Sequence, residues 1–380
     1  MKVLTIFGTR PEAIKMAPLV KELERFSGIE SKVCVTAQHR EMLDQVLSLF
    51  KITPDYDLNI MKQGQTLEGI TSSILLGLAP ILKEFKPDYI LVHGDTSTTF
   101  AASLAAFYQQ IAIGHVEAGL RTYDLYSPWP EEGNRCLTGV LSQLHFSPTK
   151  EAQDNLLREG VDATKVFVTG NTVIDALLEV VNLLKGDELR DEMEAKFPFT
   201  QNDQPMVLIT AHRRENHGEG ISNISAAVKE LSQMYPEINF VLPMHLNPKV
   251  RNVFIQELWN ISNIKLIEPQ EYLPFVYLMS KSQFILSDSG GVQEEAPSLG
   301  KPVLVMRDTT ERPEAVKAGT VMLVGTDTQN IIHYCQKLLE DKDFYQQMSS
   351  AKNPYGDGTA SQQIVQSLFQ SMQSTQGNKS

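Results

Sequence analysis

The chain is poor in cysteine, has no long apolar run and lacks an excess of positive charge. Its 380 residues include three cysteines, Cys34, Cys136 and Cys335. They lie far apart and form no CxxC pair, which argues against a disulfide-stapled secreted scaffold and fits a reducing compartment. The opening residues carry one lysine and a five-residue apolar run at 3–7, too short for the core of a secretion signal. No stretch approaches the roughly 18 uninterrupted apolar residues of a membrane span. With 34 Lys and Arg against 46 Asp and Glu, the net charge is −12. General binding to nucleic acid or to an anionic membrane is therefore not expected, because both reward a basic face. GxGxxG, GxxxxGK[ST] and HExxH are also missing, as are His, Cys and carboxylate ligands at metal spacing. The expectation is a cytoplasmic protein with no metal and no nicotinamide.

What is present is a length that suits two domains and a globular composition, 42% hydrophobic and 21% charged. Short apolar runs alternate with segments of helical period. Strands are expected at 3–7, 32–36, 89–92, 111–116, 144–147 and 166–169. A second series follows at 206–210, 238–242, 264–267, 283–287, 303–306 and 321–324. Amphipathic stretches such as 13–26, 71–85, 221–235 and 330–341 lie between them. Apolar strands separated by helices make parallel sheets covered on both faces. The fold class is therefore α/β, two Rossmann-like domains facing across a cleft where strand ends bind ligand. The first domain is expected at 1–170, switching at the turn Gly170-Asn171, and the second at 171–358. The polar stretch 185–204 reads as a surface excursion rather than core. After the break at 353–358 a helix is expected at 359–373, and 374–380 reads as a disordered tail.

Polar motifs follow several of these strands. Gly8-Thr9-Arg10-Pro11-Glu12 joins a tight turn to a helix start whose free N–H groups favour an anion, with Lys15 about a turn further on. An ordinary strand–helix turn with solvated charges accounts for it equally well. His93-Gly94-Asp95 crowds His, Gly and an acid at a strand end, where Asp95 as a plain helix cap is the competing reading. His115-Val116-Glu117 and Pro128-Trp129-Pro130-Glu131-Glu132 set carboxylates on either side of a proline-stiffened loop, with Arg135 beyond. Two carboxyls whose pKa values are driven apart supply one acid and one base. Compensation of a helix dipole explains either Glu131 or Glu132, but not Glu117 at the end of an apolar strand.

In the second series, Ala211-His212-Arg213-Arg214 gives a positive strand end, and His245 follows the next strand. A lone His there is more often a hydrogen-bonding residue than a metal ligand. Asp288-Ser289-Gly290-Gly291 opens a helix on bare backbone that admits a diphosphate. Glu295 is then within reach of a ribose, and Arg307 and Arg312 follow the next strand.

The segments GTRPEAIKMAPL, HGDTSTTFAASLAA, GHVEAGLRT, SPWPEEGNR, TGNTVID, TAHRREN, SDSGGVQEEAPSLGKPVL and RDTTERPEA together resemble the non-hydrolysing UDP-N-acetylglucosamine 2-epimerases, from residue 3 to about 358. The resemblance implies the GT-B fold (glycogen phosphorylase-like), UDP in the cleft, a homodimer and a C-terminal helix that crosses back onto the first domain. On matching positions it implies Arg10, Lys15, Gln270, Phe275, Ser289, Gly290, Gly291, Glu295 and Arg312 for UDP, with Phe275 against the uracil. Asp95, Glu117, Glu131 and His212 would act around the sugar, with Arg135 nearby. The implied reaction interconverts UDP-N-acetylglucosamine and UDP-N-acetylmannosamine through 2-acetamidoglucal, without metal or cofactor, and supplies cell-surface polysaccharide synthesis. Which acid serves which face stays open. Some members of this family are activated by their own substrate at a second site, for which Gln38, His39, Arg213 and His245 match. Gly64, however, stands where activated members carry an arginine. A hydrolysing epimerase and a retaining UDP-sugar glycosyltransferase are the neighbouring readings. A silent UDP-sugar sensor is a third, and three carboxylates beside an anion weigh against it.

Overall fold

The computed structural model describes residues 1–37, 40–62, 64–201 and 204–377. They form two compact units. The first comprises Met1–Ala176 and the chain from Tyr355 onward, and the second Leu177–Pro354.

In the first unit seven strands pair in parallel: β1 (Lys2–Phe7), β2 (Glu30–Val35), β3 (Tyr56–Asp57), β4 (Tyr89–His93), β5 (Ala112–Val116), β6 (Leu144–Ser147) and β7 (Val166–Val168). Their order is β3-β2-β1-β4-β5-β6-β7. In the second, β8 (Met206–Thr210), β9 (Asn239–Pro243), β10 (Ile264–Ile267), β11 (Phe284–Ser287), β12 (Val303–Val305) and β13 (Val321–Leu323) are ordered β10-β9-β8-β11-β12-β13, again all parallel. Both are doubly wound sheets whose connectivity reverses between two central strands, β1 and β4 or β8 and β11. Every strand expected from apolar periodicity is present within two residues of its ends. β3 has two residues, too few to show a period.

Each unit has its own core. Leu4, Ile6, Ile90, Val92 and Ile113 pack under Ile74, Leu78, Ala102 and Ala106 in the first. Val207, Ile209, Phe240, Leu242 and Phe284 pack under Ile224, Val228, Phe254 and Ile331 in the second. The stretch 185–204 is only partly the surface excursion expected. It holds a helix, Asp187–Lys196, whose Met193 is buried along with the following Phe197. The Phe197 ring stacks on Tyr277 with centroids 6.1 Å apart, so two apolar side chains anchor an otherwise charged segment. No helix among the described residues is long and apolar enough to cross a membrane.

The first unit is closed by the C-terminal helix, Ala360–Gly377. The Asp175 carboxylate accepts the free N–H groups of Ser361 (2.8 Å) and Ala360 (3.3 Å) at its start, as a capping acid does. Phe369 then packs on Phe26, the residue that ends helix Arg10–Arg25, ring centroids 5.1 Å apart.

The chain leaving β5 is held by a glycine. Gly119 has φ +94°, and a Cβ there would sit 2.1 Å from the Ala152 carbonyl oxygen. Asn155 Nδ2 also donates to the Gly119 carbonyl at 3.0 Å. Gly119→Ala adds a left-handed strain to a backbone clash, so unfolding free energy should fall by about 2–4 kcal/mol in a denaturant titration. An unchanged midpoint would contradict this account of the turn.

Candidate active site

At the switch point of the first sheet, the loops after β1 and β4 meet. A Cβ on Gly8 would lie 1.9 Å from Thr36 Oγ1 and 2.6 Å from Thr98 Oγ1, so only glycine lets the turn pass. Buried Glu12 ties the two loops together. Its Oε2 accepts from the Gly8 and Thr9 amides (3.0 and 2.8 Å), and its Oε1 from the Thr96 hydroxyl (2.7 Å). Arg10 opens the helix Arg10–Arg25 and Lys15 lies on it, where its ammonium pairs with the Glu117 carboxylate.

Glu117 follows β5 in a left-handed conformation, φ +62°, unusual for a residue with a side chain and of the kind that concentrates at functional sites. Its side chain is 9% exposed. Besides Lys15, Oε2 accepts from Asn171 Nδ2 at 2.9 Å and lies 3.6 Å from His93 Nε2. Burial pushes this carboxyl up, but the Lys15 and His93 charges and hydrogen bonds outweigh it and hold Glu117 well below the ordinary 4.5. Asp95 is driven the other way. Burial raises it, and its Arg135 partner at 2.7 Å offsets only part of that, with Glu117 adding to the rise. Two neighbouring carboxyls with opposed shifts are what an acid and a base require.

The two acids at the next helix start have separate uses. Glu132 is buried: its Oε1 accepts the Thr122 and Tyr123 amides (3.0 and 2.9 Å), and its Oε2 lies 3.4 Å from Arg135. It fixes the preceding loop. Glu131, the first residue of helix Glu131–Leu141, is half-buried and pairs with no side chain among the described residues. His115 is scaffold. Its Nε2 is 2.7 Å from the Gly94 carbonyl, and burial pushes the ring down to about 3, so it is neutral.

In the second unit the chain ends after β8 and β11 carry the other group. His212 stacks on His245 with centroids 5.8 Å apart. Its Nδ1 lies 2.9 Å from Asp288 Oδ1. Burial pushes Asp288 up, yet the hydrogen bond and charge of His212 and the amides of residues 212 and 213 keep it below the ordinary range and ionised. Ser289 stands at the start of helix Gly290–Glu295, its side chain making no capping hydrogen bond there. A Cβ on Gly290 would lie 3.4 Å from an Arg213 nitrogen and 3.8 Å from one of Arg312, so two guanidiniums flank that glycine. Arg312 is steered by an ion pair to buried Glu294. Tyr272 donates its hydroxyl proton to Glu295 at 2.6 Å, aiming that carboxylate over Gly291. Phe275 is half-buried on the same helix as Tyr272, Tyr272–Lys281. Just before it, Gln270 Nε2 donates to the Glu268 carbonyl, while its buried Oε1 has no protein partner.

The sequence candidates thus collect in two groups, one per unit. Arg10, Lys15, Asp95, Glu117 and Arg135 stand in the first, with Glu131 on the adjoining helix. His212, Gln270, Phe275, Ser289, Gly290, Gly291, Glu295 and Arg312 stand at strand ends of the second, where Arg213 and His245 join them. Gln38 and His39 lie outside the described residues. Arg307 does not belong with Arg312: it is saturated by Glu215 and Glu311. Asn171, Tyr272 and the role of Asp288 were not read from sequence. The signal for Asp288 was its place directly after β11. Asn171 carried none, since its contact with Glu117 spans 54 positions.

Lys15→Met should raise the Glu117 midpoint, read by carboxyl 13C NMR. The sign follows from the depressed folded-state pKa. Ionised Glu117 adds stability that is fully present above about pH 4.5 and is lost as pH falls through the lower folded value. The stability gap between wild type and variant should therefore narrow in acid. A midpoint that does not move would remove Lys15 from this account.

Known proteins resemble this chain along nearly its whole length. The family model described as UDP-N-acetylglucosamine 2-epimerase matches residues 21–369. A UDP-N-acetylglucosamine 2-epimerase of Neisseria meningitidis serogroup A is 64% identical over 97% of this chain and 99% of its own length. Its counterpart in Escherichia coli K12 is 62% identical over 97% and 98%. A crystal structure of the Neisseria meningitidis UDP-GlcNAc 2-epimerase bound to UDP-GlcNAc superposes with a TM-score of 0.89, at 64% identity over 97% of this chain and all of that one. The Methanocaldococcus jannaschii enzyme, at 35% identity, gives 0.85 over 97% and 99%. The chain belongs to the UDP-N-acetylglucosamine 2-epimerase family.

Proposed function

We propose that this enzyme interconverts UDP-N-acetylglucosamine and UDP-N-acetylmannosamine without net hydrolysis. The observation that carries the reading is the pair Glu117 and Asp95, one held ionised and the other pushed toward protonation. The sugar C2–H is not next to a carbonyl, so enolisation is unavailable. Cleavage of the anomeric C–O bond sends its electron pair to UDP and leaves C1 oxocarbenium-like, which acidifies C2–H. A carboxylate takes that proton and 2-acetamidoglucal forms. A proton then adds to the opposite face of C2 while the diphosphate oxygen re-bonds to C1. Glu117 is the base on this reading, because it is the ionised member of the pair. Asp95 and Glu131, which pairs with no side chain among the described residues, are the candidates for delivering a proton to the other face. Stabilisation of departing UDP falls to Arg10, Arg213, Arg312, His212 and the Ser289-Gly290-Gly291 backbone. Glu295 is assigned to the ribose, Phe275 and Gln270 to the uracil end, and Arg135 to Asp95. The Neisseria relative bound to UDP-GlcNAc supports the choice of substrate. The product would feed synthesis of cell-surface polysaccharide.

We also propose that a second copy of the chain covers one face of the first unit. Helices Leu67–Phe85, Ser97–Tyr108 and Glu131–Leu141 expose Leu76, Phe107, Tyr108, Leu137 and Val140. An apolar set of that kind on neighbouring helices marks an association surface.

In deuterated water, UDP-N-acetylglucosamine should acquire deuterium at C2 and become a gluco–manno mixture by NMR. Release of free sugar would point to the hydrolysing reaction, and no exchange would overturn the reading. Glu117→Gln should still bind UDP while exchange drops by about 10²–10⁴-fold. For the second proposal, light scattering should give twice 42.5 kDa for the wild type and a monomer for Val140→Arg. A monomeric wild type ends that idea.

A further inference from the structure

His212 and Asp288 emerge from the two strands at which the second sheet reverses. β8 and β11 are neighbours, Thr210 stands opposite Ser287, and their hydroxyl oxygens are 2.6 Å apart. Asp288 is completely buried, and its two oxygens do different things. Oδ2 accepts the backbone N–H of His212 (2.8 Å), the backbone N–H of Arg213 (2.8 Å) and Asn216 Nδ2 (3.1 Å). Those donors fix the plane of the carboxylate. Oδ1 makes no hydrogen bond of good geometry among the described residues, and His212 Nδ1 lies 2.9 Å from it. A buried anionic oxygen without a donor is costly, more so than a neutral one. At that distance a proton on Nδ1, with a small turn of the ring, is the donor that would satisfy Oδ1.

We propose that Asp288 is the positioning residue of His212, fixing Nδ1–H toward its carboxylate so that Nε2 is the ring atom that meets the ligand. This rests on the reading that His212 acts on departing UDP. In that role the doubly protonated ring gives its Nε2 proton to a β-phosphate oxygen as the C1–O electron pair moves onto the phosphate. The ring is left neutral with Nδ1–H still held by Asp288, and the proton returns to Nε2 when the C1–O bond re-forms. The stacked His245 ring limits how far His212 can turn. A ring with the other tautomer would present a proton where a neutral acceptor is needed for the return, and would leave Oδ1 without a donor.

The test begins with the wild type, so it does not depend on a variant folding. With 15N-labelled histidine, at a pH where the ring is neutral, the His212 spectrum should show the Nδ1-protonated pattern. An Nε2-protonated pattern overturns the proposal. Asp288→Asn keeps an oxygen for the three N–H donors and turns its amide N–H toward Nδ1, so the pattern should invert. Epimerisation kcat should fall by about 10²–10⁴-fold, the scale seen when an orienting aspartate is replaced in a His–Asp pair, with KM and UDP affinity unchanged. On a His212→Asn background the same substitution should cost nothing further, whereas an additive loss overturns the coupling. If His212→Asn alone keeps full activity, the part given to His212 in the reaction fails, and the ring spectrum still decides what Asp288 does.

Discussion

Strand direction is the constraint on which both units depend. A parallel strand can only be continued by a crossover, usually a helix, that carries the chain back to the starting edge. All carboxyl ends of a sheet therefore collect on one side, whatever their separation in sequence. This is why Gly8, Asp95 and Glu117 share one edge of the first sheet, and why His212, His245 and Asp288 share one edge of the second. The reversal of strand order then opens that edge at one place per sheet. Residues supplied by different crossovers are brought within hydrogen-bond distance there, as Lys15, Glu117 and Asn171 are.

An acidic chain of net charge −12 handles an anionic ligand through local matching rather than a basic surface. Lys15 is set against Glu117, Arg135 against Asp95, and Arg312 against Glu294. Each cation is thus held in place by an acid before any ligand arrives, which limits the reorganisation needed on binding. The same pairing makes the acids unequal. Glu117 has three partners that favour its anion, while the burial of Asp95 outweighs its own arginine.

Much of this was legible in the sequence. Continuous apolar runs separated by helical periods located the strands because buried parallel strands have no polar face to break the run. The motifs at strand ends named nearly every residue of both groups. Long-range contacts were hidden. Asn171 read only as part of a turn, and nothing local tells that its amide reaches Glu117. Apart from the family resemblance, Glu132 and Glu131 are indistinguishable in sequence. One turns into the buried loop anchor and the other does not, a difference set by where Thr122 and Tyr123 present their amides. Arg307 and Arg312 likewise look equivalent five positions apart, until Glu215 and Glu311 take the first. Met193 and Phe197 were masked by their charged neighbours.

The Asp175 cap on the C-terminal helix has a consequence for how the molecule is made. That helix belongs to the first unit, yet it is encoded after the whole of the second. On the ribosome the first sheet is therefore complete long before its last covering layer exists, and Phe26 waits for Phe369 while some 180 residues of another domain are synthesised. The second unit is an insertion, whereas the first becomes whole only once the helix Ala360–Gly377 has emerged.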